Sequence, residues 1–399
     1  MSSKVSNEEL VQKAVIVADD LASAGKLNPA QSDRFIDYVV DETVLKNNAR
    51  TVRFRNEQLE IDKIGIGKRA ATPKSEAVDP GVRRGITTSK VTLKPSEIMV
   101  PFEIGDIFSE INLEGDLVQD HIIQMFAKQM ANDMEELYIL GDKIGPAITE
   151  NDYTGSGSTT NYVKDGYLAL QDGWQKLADA GHIVDAENAN IGLSIFGKML
   201  RQMPTKFRRN KSALRFFMSP DLSQLYMEKL STRATGLGDS AAGGSGISPF
   251  GVPIVEVPLW DFLPMTVESI VLPTTVAVSL KNKNVSDVVV LPSTLAGTPV
   301  TPFIEGTDYD LVAANGTVAR KAGGAIGDGD TVKVTYNARP QIILTHMNNF
   351  IVGIGRDIRI EKDRDIFKGV NQYAITAKCA VEYEEVDAIV KCRNLGLGV

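Results

Sequence analysis

An α+β fold with a small all-β unit set into it is what three features of the sequence predict. Over 115–141, Gly occurs only at the ends and Pro not at all, while Ile123, Phe126, Met130, Met134 and Leu137 recur at spacings of three and four. That spacing puts them on one face of a helix roughly 35–40 Å long. Over Ile375–Tyr383, the apolar Ile375, Ala377, Cys379, Val381 and Tyr383 alternate with Thr376, Lys378 and Glu382, the pattern of a strand with one buried face. Residues 265–340 change texture: they are Val- and Thr-rich, with VAVSL, VVVLP, DYDLV, TVARK and DTVKVTY as strand candidates. Asn315-Gly316 and Asp328-Gly329 read as hairpin turns there, which predicts a small β-sandwich or barrel-like module.

The remaining elements follow in order. Residues 6–24 read as an amphipathic helix, with a Ser6/Glu9 capping box, a Leu10, Ala14, Val17, Leu21 stripe and a stop at Gly25. Asn28 and Pro29 open a second short helix through Phe35, Tyr38 and Val39. This arm is too small to fold by itself. Over 51–100, β-like runs at Val52–Phe54 and Val91–Leu93 bracket GIGKRAATPKSEAVDPGVRRG, which has almost no large side chains. From Lys63 to Lys94 there are eight basic residues and two acidic ones, so a long hairpin with a basic polar tip is expected. Asp116 is placed as N-cap of the long helix and Gly141 as its stop. Residues 143–162 read as a Gly/Ser-rich link, and 165–180 as a second helix carrying Leu168, Leu170, Trp174 and Leu177. Residues 183–262 read as an α/β unit: a strand at Ala213–Met218, a helix opened by Ser219, Pro220 and Asp221, a loop GLGDSAAGGSG, and a strand in FGVPIVEVP. QIILTHMNNFIVGIGRDIRIEKDRD gives two strands and DAIVKCRNL a last one.

The totals exclude several classes. A chain of 399 residues accommodates two or three domains, and 43% apolar with 24% charged residues is globular. A net charge of −8 opposes a dedicated nucleic-acid binder. Cys379 and Cys392 make neither a disulfide framework nor a zinc site and fit a reducing compartment. The opening MSSKVSNEEL lacks a signal-peptide pattern, and no run of 18 apolar residues exists, so no membrane partner is expected. The three histidines do not fall into a catalytic order: His121 lies beside the apolar stripe of the long helix, His182 at a helix end and His346 in a strand-like run. GIGIGK, with Gly65, Gly67 and Lys68, lacks the spacing of a phosphate loop, and GTDYD and GDGD lack the EF-hand ligand pattern. The expectation is a protein that is not an enzyme and has no metal or cofactor.

Taken in order, these stretches resemble the major capsid protein of tailed bacteriophages, the HK97-type fold. The resemblance rests on ADDLASAGKLNPAQSDRFIDYVVDETVLKNNARTVRF, the basic loop returning through ITTSKVTLKPSEIMVPFEIGD, the long helix ending in ELYILGD, RFFMSPDLSQLYMEKL with FGVPIVEVP, and NNFIVGIGRDIRIEKDRDIFKGVNQYAITAKCAVEYEEVDAIVKCRNL. It covers nearly the whole chain outside 265–340. By position it implies an N-terminal arm over 1–50, an extended E-loop over 51–100, and a P-domain over 101–162 with spine helix 115–141. The A-domain would span 163–264 and return over 341–357, around an inserted β-domain at 265–340. The C-terminal strands of the P-domain would fill 358–399.

The resemblance further implies self-assembly into hexamers and pentamers of an icosahedral head enclosing double-stranded DNA, which is contacted non-specifically. The implied location is the virion, after assembly in the host bacterial cytoplasm. A separate scaffolding protein is expected, since the N-terminal region is short for a built-in scaffold, together with portal and maturation or decoration proteins. Cross-linking through a loop Lys and a neighbour's Asn is not expected. An encapsulin-like nanocompartment shell is the alternative; length and the β-insertion favour the phage.

With that resemblance, the candidates for inter-subunit contact are the basic loop residues Lys63, Lys68, Arg69, Arg83 and Arg84 against Glu110, Glu114 and Asp116 of an adjacent copy. Each such exposed pair contributes only about 0–1 kcal/mol, enough to set register rather than hold a shell together. Deleting residues 66–84 is expected to prevent normal closed particles in electron micrographs; normal particles from that deletion would remove the loop from assembly.

Overall fold

The computed structural model describes residues 15–16, 45–46, 49–65, 71, 87–106, 117–155, 157–231, 248–260, 266–273, 276–293 and 299–396. The chain first appears as strand β1, Val15–Ile16. These two residues depart from the helix expected over 6–24: they run parallel to Glu103–Ile104 at a sheet edge. An edge satisfies backbone groups that a short isolated helix holds only weakly. The second arm helix expected from Asn28 lies outside the described residues, and the chain reappears at Leu45 and Lys46. Their amides donate to the buried Glu135 carboxylate at 2.6 and 3.1 Å.

Strands β2 (Arg50–Arg53), β3 (Leu59–Gly65), β4 (Thr87–Leu93) and β5 (Ser96–Gly105) follow. β3 and β4 pair antiparallel from Leu59↔Leu93 to Gly65↔Thr87, the arms of a hairpin whose tip lies outside the described residues. Its root is buried with Phe54, Ile351 and Ala380. Helix α1 spans Leu117–Leu140, inside the expected 115–141, and buries Met130, Met134, Leu137 and Tyr138. The expected cap Asp116 is outside the described residues.

Gly141 does end the helix, for a reason other than a left-handed cap. A side chain there would meet the Gln171 carbonyl at 2.5 Å, and one on Gly173 would meet the Gly141 nitrogen at 2.7 Å. The two glycines let a later segment cross the helix end backbone to backbone, sealed by Gly173 N to Gly141 O at 2.7 Å. That crossing breaks the helix expected over 165–180 into short turns, of which α3, Trp174–Leu177, is the α-helical one. The expected 143–162 link folds into β6 (Ala147–Thr149), α2 (Glu150–Thr154) and β7 (Tyr162–Lys164). Thr149 caps α2 by accepting the Asp152 amide at 3.1 Å.

Strand β8 (His182–Asp185) leads to α4 (Leu193–Gln202), α5 (Thr205–Arg208), β9 (Leu214–Met218), α6 (Pro220–Ser231) and β10 (Ile254–Glu256). β9 and β10 run parallel, so the helix between them is the crossover of a β-α-β unit. The Gly-rich loop after α6 is outside the described residues.

Strands β11 (Thr266–Leu272), β12 (Val278–Ser279), β13 (Ser286–Pro292), β14 (Tyr309–Val312), β15 (Thr317–Arg320) and β16 (Asp330–Asn337) form two three-stranded sheets, β11-β16-β13 and β12-β15-β14. They share a core that includes Leu272, Val290, Val318, Val334 and Tyr336. Asn315-Gly316 closes the β14–β15 hairpin, with φ +61° at Gly316. Asp328-Gly329 closes none, because β15 and β16 belong to different sheets. The pairing Thr266↔Tyr336 brings the two ends of the module together.

The chain finishes with β17 (Ile342–His346), β18 (Phe350–Asp365), β19 (Val370–Tyr383) and β20 (Val390–Arg393). The first sheet runs β1-β5-β19-β18-β2 and the second β10-β9-β17-β20-β8. Two sequence-based boundaries cut across this topology. The division at 357/358 falls inside β18, and β20, grouped there with the strands beside α1, pairs with β17 and β8 of the second sheet.

The apolar face of α1 lies on the first sheet, where Phe126 stacks on Phe102 at 4.2 Å and Phe102 on Tyr373 at 5.1 Å. Ile375, Ala377, Cys379 and Val381 share that core. Trp174 packs on the first sheet, where its indole donates to Glu382 O at 3.3 Å and its ring meets Phe350 edge-on at 5.0 Å; Phe350 in turn meets Phe217 of the second sheet edge-on at 4.9 Å.

Lys391, almost fully buried on β20, donates to Asp179 at 2.5 Å and to the Gln175 carbonyl at 2.8 Å. Burial acts to raise the Asp179 carboxyl, but Lys391 outweighs it and holds the group below its ordinary value. Its contribution is therefore present in full above that ordinary value of 3.8 and is lost as the pH falls through the depressed folded one. Asp179→Leu is expected to cost about 3–5 kcal/mol in urea unfolding because it strands a buried ammonium, and Asp179→Leu with Lys391→Met to recover most of it. Equal losses in the two variants would contradict a coupled pair.

Candidate functional site

Among the described residues, no group of three or more His, Cys, Asp or Glu is placed to hold a metal ion, and no helix is long and apolar enough to cross a membrane. Both thiols are buried, and burial pushes Cys379 up to about 11 and Cys392 up to about 12. His346 lies 3.2 Å from the Phe207 carbonyl, and His182 has a buried Nε2 without a partner among the described residues.

What the described residues do present is strand surface that the subunit does not cover. The β3–β4 hairpin buries its root, while Glu60, Asp62, Ser89 and Lys90 are exposed along it. A two-stranded hairpin is marginal in water unless something packs on it. A second projection is sharper. β18 and β19 pair from Phe350↔Tyr383 to Asp365↔Val370, a ribbon roughly 45–50 Å long. Its outer half is charged on β18, from Arg359 through Arg364.

At the tip of that ribbon two large apolar side chains stand in solvent: Ile366 is 78% exposed and Phe367 103%. The turn that carries them is fixed. The Asp365 carboxylate accepts the amides of Phe367 at 3.0 Å and Lys368 at 3.2 Å, and the Gly369 amide donates to Asp365 O at 3.0 Å. Side chains lace the ribbon to β5: Arg364 to Asp106 at 2.9 Å, Asn371 to Asp106 at 3.3 Å, and Gln372 to Glu103 at 2.8 Å. Nearer the body, Glu97 takes Lys378 at 3.2 Å together with Arg356. Hydrogen bonds from Lys378, then Arg356, hold the Glu97 carboxyl below its ordinary value. The tip is thus an apolar knob on a braced arm.

Of the eight residues expected to make inter-subunit contacts, only Lys63 is described. It lies on β3 with its Nζ 3.8 Å from Glu385 Oε2 of the same chain. Lys68, Arg69, Arg83, Arg84, Glu110, Glu114 and Asp116 fall outside the described residues. The Ile366–Phe367 knob escaped the sequence reading. Its signal was an apolar pair framed by Asp363-Arg364-Asp365 and Lys368-Gly369, at a place where neither helical nor strand periodicity runs.

No family model matches the chain. A relative does: YqbE of Bacillus subtilis (strain 168), which carries the name of a prophage capsid protein, is 30% identical over 387 residues, covering 96% of this chain and 97% of its own. Solved structures share the fold at low identity. The capsid of the native GTA particle matches with a TM-score of 0.50 at 12% identity, over 94% of this chain and 98% of its own. The capsid of the cyanophage P-SCSP1u gives 0.50 at 9% identity, over 95% and 98%. The satellite phage P4 procapsid, solved with its size determination (Sid) protein, gives 0.50 at 10%, over 89% and 88%.

The buried thiols allow a direct check of this packing. Neither cysteine is expected to react with Ellman's reagent at pH 8 in the native protein, and both should react after unfolding; rapid modification of the native chain would contradict the burial of both strands.

Proposed function

The chain belongs to the family of phage capsid proteins and has their HK97-type fold, and from that premise we propose that it is the shell subunit of a phage head, self-assembling into hexamers and pentamers that enclose double-stranded DNA. In this reading α1 and the first sheet form the P-domain, the second sheet the A-domain, and the β11–β16 module an insertion. Residues 1–50 and 51–100 act as the arm and the E-loop laid over adjacent copies. A separate scaffolding protein guides assembly, and portal and decoration proteins complete the particle; the P4 procapsid structure likewise includes a second protein, the size determination (Sid) protein.

The observation that carries the reading is the apolar knob. Ile366 and Phe367 sit on a braced turn, and none of the described residues covers them. Burying two such side chains against another copy would contribute roughly 3–6 kcal/mol per subunit, far more than the weak exposed ion pairs around them. The basic loop residues Lys68, Arg69, Arg83 and Arg84 add register against Glu110, Glu114 and Asp116 of an adjacent copy. Lys63 must first leave Glu385 to take part.

Phe367→Asp with Ile366→Asp tests this. Both side chains are exposed, so the thermal midpoint of the unassembled subunit should barely move, by less than about 0.5 kcal/mol per site in stability. The yield of closed particles in sedimentation and negative-stain micrographs should fall at least about ten-fold. A normal particle yield would show that the knob is not an assembly contact.

A further inference from the structure

Between Lys198 and Arg215 the chain carries seven cationic residues and no acid, in a protein whose net charge is −8. They run from the last turns of α4, which ends at Gln202, through α5 at Thr205–Arg208 and into β9, which begins at Leu214. The segment's apolar members point inward: Met199, Leu200, Met203 and Leu214 are buried in the core of the second sheet. Outside remain cations and neutral hydrogen-bonding groups, among them Arg201, Gln202, Arg209, Asn210, Lys211 and Ser212, all exposed.

Some of these cations already have structural work. Arg208 donates to the Leu200 carbonyl at 3.2 Å and Arg215 to the Leu214 carbonyl at 2.8 Å, which stiffens the turn from both sides. Lys206 lies 3.6 Å from Asp387 and 4.4 Å from the centre of the Phe207 ring. Arg201, Arg209 and Lys211 have no carboxylate within ion-pair distance among the described residues. Arg201 at the end of α4, with Arg209 and Lys211 on the stiffened turn, makes a local positive field that the net charge conceals.

We propose that this face binds the phosphate backbone of double-stranded DNA. Protein partners need an apolar centre to an interface, and this face has buried its own apolar residues; the exposed aromatic Phe250, 51% exposed, stands only at its border near Gly197. A phosphate backbone needs what the face offers: guanidinium and ammonium groups with amide and hydroxyl donors between them. Nothing is positioned to read bases, so the contact is independent of sequence and weakens steeply with salt. The choice of DNA over another polyanion rests on the reading of the chain as a shell around DNA; the cationic face itself does not depend on it.

The test uses the full-length chain and a fluorescein-labelled random-sequence duplex of about 30 base pairs, followed by anisotropy. Wild type should lose roughly a hundred-fold in affinity between 50 and 200 mM NaCl, the response to about four phosphate contacts. The variant Arg201→Gln, Arg209→Gln, Lys211→Gln should bind at least about ten-fold more weakly at 50 mM and show a salt slope smaller by about three. Circular dichroism and particle formation should be unchanged, so that a failure of assembly speaks to the shell reading and a failure of binding to this one. Equal binding by the variant and wild type overturns the proposal. So does displacement of the duplex by polyglutamate at equal charge, which would identify an acidic polypeptide as the partner.

Discussion

One buried seam governs the subunit: the apolar face of α1 laid across β5, β19 and β18. Met130, Met134 and Leu137 meet a sheet face that contributes Phe102, Ile375, Ala377 and Cys379 to the same core. The stack Phe126, Phe102, Tyr373 extends it toward the outer end of the sheet. Buried interiors pack like crystals and transmit displacement, so a helix seated on this face fixes the direction of the long ribbon. Glu135, buried on the same helix, takes the amides of Leu45 and Lys46 and thereby ties the incoming arm to that seam. Trp174 and Phe350 then join the seam to the second sheet.

Seen from the seam outward, the molecule is rigid where it meets itself and unfinished where it does not. The β18–β19 ribbon is laced by ion pairs to β5 but ends in two bare apolar side chains. The β3–β4 hairpin has a buried root and exposed arms. The β11–β16 module has its own core and meets the body through a small apolar cluster, Ala147 and Tyr162 with Val289, Leu291 and Val300, and through polar contacts. Lys281 lies 3.6 Å from Asp179 and Lys283 3.6 Å from Asp185, while the Lys283 amide donates to Asn394 at 2.8 Å. An added β-bridge joins Tyr162 to Val300. Such junctions are specific in direction and modest in strength, which suits parts that must be placed without being welded.

Sequence legibility followed the range of the interactions involved. The α1 face, the β19 alternation and the strands of the β module are short-range patterns of burial, and they were readable because periodicity repeats every two or 3.6 residues. The helix expected over 165–180 was not readable as broken, because the cause is a backbone crossing between Gly173 and Gly141, 32 residues apart. Val15 and Ile16 gave a helical pattern yet pair with a strand edge nearly ninety residues on. The knob at Ile366–Phe367 and the cationic turn at 198–215 are visible as letters, but only exposure gives them meaning.

By itself the sequence determined the fold class, the long helix, the inserted all-β texture and the likeness to a phage capsid protein, since these rest on local burial patterns and their order along the chain. Only the tertiary structure decided that β20 joins β8 and β17 rather than the strands beside α1, that Lys63 faces Glu385, and that Ile366 and Phe367 remain uncovered. The physical reason is that strand partnership and solvent exposure are set by residues far apart in the chain, whose contacts form only after loop closure has brought them together.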